Sequence, residues 1–214
     1  MPMTATRPGP TVLTGKFIQL EPLTHEHLPE LHAAIGTPAV FAGGYGGGPA
    51  GYRADVGEFI EWAKRYYRWD TGNPFLLRVN GGPLDGVAIG TSTLADFDET
   101  REHTHIGWTA YDPRVWGSQV NAEAKLLMLG HAFDAGFGRV RIQTDILNER
   151  SQAAILGIGA VREGVVRRDM LREDGTWRDS VVFSVVIDEW PDVRTGLVAR
   201  LAKSGGRPIE YRER

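Results

Sequence analysis

Pro113-Arg114-Val115-Trp116-Gly117-Ser118-Gln119-Val120-Asn121 lies between a segment that alternates like a strand (103–111) and one that is apolar on most sides (119–135). In the second segment Val120, Ala124, Leu127, Met128 and Phe133 spread around the axis, which predicts a helix packed deeply against a sheet. A helix start leaves four backbone N–H groups unpaired and carries partial positive charge. Gly117 removes a side chain there, so an anion can approach the backbone. The stretch therefore reads either as a phosphate cradle or as a plain turn capped by Ser118. It is not a Walker loop, since no Gly-Lys-Ser/Thr follows, and it is not the dinucleotide Gly-x-Gly-x-x-Gly.

Working outward, strands are expected at 74–79 and 86–95, around the turn Asn80-Gly81-Gly82-Pro83. A helix fits from about Ala54 to Trp69, with Phe59, Trp62, Ala63 and Tyr66 on one face. Before it, 43–51 holds six glycines and reads as a mobile loop, either a linker or a lid over a substrate. Phe17–Leu20 predicts a short strand, and Leu28, Leu31 and Ile35 a helix capped by Thr24. Downstream, 139–145 alternates like a strand and Asn148 opens a short helix to about Leu156. Segments 160–170 and 180–188 predict a hairpin turning at Asp174-Gly175, with a last helix over 189–201. Residues 1–14 and 202–214 read as flexible tails around a single domain, 15–201.

The chain of 214 residues is long enough to bury a real core. With 42% apolar and 24% charged residues it is neither disordered nor fibrous. A net charge of −3 gives no global field for nucleic acid or an anionic membrane. The absence of cysteine excludes disulfides, thiolate metal sites and cysteine nucleophiles, and fits a reducing compartment. The start MPMTATRPGP has no apolar signal core and no 18-residue apolar run follows, so a cytoplasmic protein without a membrane span is expected.

The order of motifs resembles the GNAT superfamily of N-acetyltransferases, most of all the branch of ribosomal-protein N-terminal acetyltransferases (RimJ/RimL-like). The residues that carry the resemblance are Ile106-Gly107-Trp108, Trp116 through Lys125, Asn148-Glu149-Arg150-Ser151, Gly159 through Gly164, Ser180 through Ser184, and Glu189-Trp190. It covers roughly 15 to 201. It implies an α/β fold with a mixed, mostly antiparallel sheet of six or seven strands, flanked by helices on both faces. It also implies acetyl-CoA as co-substrate without a metal, and transfer to a primary amine of a small molecule or a protein N-terminus. A homodimer is plausible on the same ground. The family's cradle pattern, Gln/Arg-x-x-Gly-x-Gly/Ala, is matched by Arg114-x-x-Gly117-x-Gln119, with Gln119 replacing the last small residue. The resemblance assigns the pyrophosphate to the backbone of Val115, Trp116, Gly117, Ser118, Gln119, Val120 and Asn121. It lays the cofactor arm between splayed strands 103–111 and 139–145, in contact with Asn148. The family's proton-donating Tyr is here Ile155, and in the resembling branch Ser151 is its substitute. A non-catalytic acyl-CoA sensor or interaction module of the same fold is the alternative that Ile155 keeps open.

An attacking ammonium must lose a proton. Strand 103–111 offers His103, His105 and Gly107 on one face, with Thr104, Ile106 and Trp108 on the other. His105 is the chosen base, being farther from the strand end than His103 or Glu102. His103-x-His105 could also ligate a metal, but the sequence shows no third ligand. Glu123 falls in the first turn of the cradle helix and should point away from a pyrophosphate. Trp62, Tyr66, Tyr67 and Trp69 read mainly as packing, with some of them available to wall an acceptor site. Arg167, Arg168 and Arg172 form a basic patch at the last hairpin, either a solvated face or an attractor for phosphate or an acidic acceptor.

Overall fold

The computed structural model describes residues 4–212; residues 1–3 and 213–214 of the expected tails lie outside the described residues. Eight strands form one sheet in the order β1-β2-β3-β4-β5-β6-β8-β7. They are β1 (Leu13–Thr14), β2 (Ile18–Pro22), β3 (Asn73–Val79), β4 (Ala88–Asp98), β5 (His103–Tyr111), β6 (Arg139–Asp145), β7 (Val161–Leu171) and β8 (Trp177–Val186). The count exceeds the six or seven expected. Its two-residue first strand falls in a stretch read as loose, where Leu13 pairs with Leu20. Every pairing is antiparallel except β5 with β6. Parallel neighbours need a crossover, and α4 (Val120–Asp134) supplies it.

Helices cover both faces. α4 and α6 (Trp190–Ala202) close the core containing Ile18, Leu77, Ile106, Val140, Ile142 and Phe183. On the other face α1 (Leu28–Ile35), α2 (Pro38–Ala42) and α3 (Val56–Tyr66) bury Leu31, Phe41, Phe59 and Trp62 against Leu76, Ala88 and Ala110. α3 begins at Asp55, whose carboxylate accepts the Glu58 amide at 3.0 Å. α5 (Glu149–Leu156) follows β6.

The pairing between β5 and β6 stops early. It runs from His103↔Arg139 to Ile106↔Ile142, and beyond that the two strands diverge into a wedge. A bulge shapes the β5 side. Against β4 the register passes from Thr93↔Gly107 to Thr91↔Ala110, and Trp108 takes φ 48°. The alternation expected for 103–111 therefore fails at one residue. Trp108 joins the face of His105, with ring centroids 5.6 Å apart, instead of the face of Ile106.

The glycine-rich segment is a packed cover rather than a linker. The Tyr45 and Tyr67 hydroxyls share a short hydrogen bond, and the Gly46 amide donates to the Tyr66 hydroxyl at 3.3 Å. Trp62 stacks on Tyr66 with centroids 4.4 Å apart, so these aromatics are mostly packing, as expected. The tails also differ from expectation. Near the N-terminus the Arg7 guanidinium donates to the carbonyls of Asp70 and Gly72. Near the other end Ile209 is buried, the Arg212 amide donates to the Arg114 carbonyl, and its guanidinium reaches the Gly117 carbonyl at 2.9 Å. Among the described residues no helix is long and apolar enough to cross a membrane.

Glu123 points away from the cradle, as its charge requires. Its carboxylate accepts the amides of Lys16, Phe17 and Ile18 at 2.8, 2.7 and 2.8 Å, clamping the β1–β2 turn to α4. Glu123→Gln puts an NH2 group among these donors and is expected to lower stability by about 2 kcal/mol. Urea denaturation reads this as a lower midpoint at unchanged slope.

Candidate active site

The wedge between β5 and β6 opens a cavity of about 280 Å³. One wall is the β5 backbone from Ile106 to Tyr111, the other is β6 from Ile142 to Asp145. Beyond Ile106 and Ile142 these facing edges no longer bond each other. They can therefore take an extended ligand whose amides mimic a strand. The loop before α4 lines it as well, and so do Gly43, Gly44 and Tyr45 of the glycine-rich cover.

The loop fits an anion. The amides of Val115, Trp116 and Ser118 close turns onto the carbonyls of Asp112, Pro113 and Val115, and the Val120 amide donates to the Ser118 hydroxyl at 3.3 Å. The amides of Gly117, Gln119 and Asn121 have no protein acceptor among the described residues. Gly117 sits at φ 73°, where a side chain is strained. Arg150 stacks over the Trp116 ring at 3.4 Å and also lines the cavity, adding positive charge. The helix start and these free donors together suit a pyrophosphate.

Of the residues expected from sequence, Val115, Trp116, Gly117, Ser118, Val120, Asn121, Asn148 and Ser151 line this one cavity. Arg114 does not: its guanidinium bonds Asp112 at 2.6 Å and covers the Tyr211 ring, outside the cavity wall. The Gln119 side chain likewise turns out to the Arg207 carbonyl, leaving only its amide for a ligand. Asn148 caps α5 through the Ser151 amide at 2.9 Å and donates to the Gly43 carbonyl, so both ends of its carboxamide are engaged. Ser151 lines the cavity with Ile155, and its hydroxyl has no partner among the described residues.

His105 is buried and stands just behind the cavity wall. Its Nδ1 lies 3.2 Å from Asp96 Oδ2, and its Nε2 is buried with no partner among the described residues. A Cβ on Gly107, which does line the cavity, would fall 2.6 Å from the imidazole Cε1. Only the missing side chain of Gly107 makes room for the ring at the wall. Burial lowers the His105 pKa below the usual imidazole value, more than Asp96 raises it. Arg141, which also bonds Asp96 at 2.9 Å, and Lys125 add to the lowering. His103 does not line the cavity. Among the described residues no three His, Asp or Glu side chains come together as metal ligands.

A match to the Acetyltransferase (GNAT) domain family covers residues 18–161. The chain belongs to the GNAT acetyltransferase family. A solved GCN5-related N-acetyltransferase from Brucella melitensis is similar at 25% identity and TM-score 0.83, over 98% of this chain and 95% of that one. A protein from T. thermophilus assigned as an acetyltransferase is 31% identical at TM-score 0.80, over 92% of this chain and 100% of that one. RimJ of Mycobacterium smegmatis, solved in complex with CoA-disulfide, shares the fold at 20% identity and TM-score 0.68, over 90% and 93% of the two chains. No curated protein matches. This GNAT chain is therefore an acyltransferase, and its family uses acetyl-CoA.

Sequence reasoning missed two cations in the cavity wall of the GNAT site. Arg178 is one of them. Lys125 is the other: it is buried on α4, with its Nζ 3.3 Å from the Thr109 hydroxyl and no carboxylate bonded to it among the described residues. The signal was a cation flanked by Ala122, Ala124 and Met128 on a mostly apolar helix whose Glu123 is spent on the β1–β2 turn. Burial brings the Lys125 pKa down from 10.5 to about 7. The folded state thus resists protonating it, a cost absent above pH 10.5 and complete below about 7. Lys125→Met is expected to stabilise the ligand-free protein by on the order of 2 kcal/mol at neutral pH. The gain should fade as pH rises toward 10.5, as read by thermal unfolding across that range.

Proposed function

We propose that the chain transfers an acetyl group from acetyl-CoA to a primary amine by direct attack within a ternary complex. The observation that carries this is the wedge cavity, which joins the free amides of Gly117 and Asn121 to two unpaired strand edges. The loop amides and Arg150 hold the pyrophosphate, and the β5 and β6 edges hold the arm. Acetyl-CoA supplies an activated thioester. His105, its Nδ1–H held by Asp96, accepts the proton of the amine at Nε2 through a water, because the ring stands behind the cavity wall at Gly107. Its depressed pKa keeps it neutral and receptive at pH 7. Ser151 donates a hydrogen bond to the departing sulfur in place of a tyrosine at Ile155. The Lys125 ammonium, in the same wall, favours the negative charge that develops there.

The acceptor is an amine of a small molecule or of a protein N-terminus. The test is thiol release: the protein is incubated with acetyl-CoA and a panel of amines, and free CoA above the hydrolysis blank is the expected result. Tight CoA binding with no thiol release from any amine would favour a non-catalytic acyl-CoA module instead.

A further inference from the structure

In the same cavity Arg178 of β8 lines the wall with Tyr66 and Asp145, and Gly43, Gly44 and Tyr45 of the glycine-rich cover line it too. Its Nε is buried without a hydrogen-bond partner, and no bond or ion pair to its guanidinium is found among the described residues. Asp145, the adjacent carboxylate, does not serve it. Asp145 Oδ2 accepts from Arg172 Nη2 at 2.7 Å and Nε at 3.1 Å, and Oδ1 accepts the Leu147 amide at 3.0 Å. The Tyr66 hydroxyl is a second donor without an acceptor among the described residues. Its hydroxyl accepts from Gly46, and burial pushes its pKa up to about 12, so the O–H proton is present at neutral pH. A guanidinium largely out of water with no counterion is costly, and its planar fork matches a carboxylate.

The geometry points to an acceptor amine that carries a carboxylate on the same molecule, bound by Arg178 and the Tyr66 hydroxyl while the amine faces the thioester. This rests on the acetyl-transfer reading above and narrows its acceptor to amino-acid-like compounds. Asp145 lies close enough to Arg178 to be felt electrostatically, as does Asp169. Arg172 is bonded to Asp145, which makes that pair neutral, and Asp169 does not line the cavity, so Arg178 remains a positive charge in the wall. An acceptor whose carboxylate is a side chain at an acidic peptide N-terminus offers the same chemistry, and the test separates the two.

Protein saturated with CoA is titrated calorimetrically with N-acetylated amino acids and with their amides, which differ only in the carboxylate. In parallel, initial rates are measured with free amino acids, amino acid amides, and dipeptide amides beginning with Asp or Glu against Asn or Gln. The carboxylate form is expected to bind and react on the order of 10- to 100-fold better than its amide. Arg178→Met should erase that preference, and Arg178→Lys, which keeps the charge without the fork, should retain part of it. CoA titration of each variant checks the fold. Preference only among the dipeptides places the carboxylate on an N-terminal side chain and overturns the amino-acid assignment. Equal use of acids and amides by the wild type, or a preference that survives Arg178→Met, overturns the proposal while leaving acetyl transfer standing. Failure of the wild type to bind CoA would remove both.

Discussion

Gly117→Asp is expected to lower CoA affinity by roughly 100-fold or more, on the order of 3 kcal/mol. Two effects act in the same direction. The backbone at φ 73° penalises any side chain, and a Cβ there would lie 2.8 Å from Arg212 Nη1. A carboxylate also adds negative charge beside the free amides of Gly117, Gln119 and Asn121, where a pyrophosphate should sit. Gly117→Ala separates the effects, since it brings the strain without the charge and should lose only part of the affinity. Calorimetric titration with CoA, alongside circular dichroism to confirm folding, is the measurement. Wild-type affinity in a folded Gly117→Asp protein would remove the anion site from this loop.

His105→Ala should reduce kcat by about 10²- to 10⁴-fold if the imidazole is the base proposed above. CoA affinity should stay near normal, because His105 does not line the cavity. The pH profile is the sharper readout. A base works in its neutral form, so kcat/KM falls as pH drops through its pKa. Burial lowers that pKa, and the acidic limb of the wild type should lie below the usual imidazole range near 6.5. The variant should lack this limb altogether. Acceptors of low amine pKa arrive neutral and should suffer least. Asp96→Asn is a second route to the same limb, because it removes the charge at 3.2 Å that favours the protonated ring. It should move the limb further toward acid. Unchanged turnover and an unchanged profile in His105→Ala would make the histidine a strand residue and leave proton removal to water or another group.

Most of the fold was legible because its signals are local. The apolar periodicity of 119–135, the alternation of 139–145 and the stop at Gly36 each act within a few residues, and each element appears where its pattern put it. The bulge at Trp108 was not legible. Strand alternation assumes an unbroken register, and nothing in His105-Ile106-Gly107-Trp108 says that two residues will face one partner. The candidate site was legible in its backbone, as a turn around Gly117 that leaves amides free, and less so in its side chains. Arg114 sits at the right spacing but turns back to Asp112, two residues before it, and Gln119 turns to Arg207, which only the folded chain brings near. Lys125 and Arg178 matter through what surrounds them, and their surroundings come from strands distant in sequence.

The C-terminal segment forms part of the rim of the phosphate loop, with Tyr211 under Arg114 and Arg212 on the Gly117 carbonyl. That arrangement bears on how the protein is handled at the bench. A tag or surface attached close behind Arg212 would crowd the loop to which the proposed reading assigns the pyrophosphate. Arg7, by contrast, is moored to Glu99 at the turn joining β4 to β5, the opposite end of β5 from the loop. A handle near Arg7 leaves that loop clear, and CoA binding constants measured from the two attachment points are expected to differ for reasons of access alone.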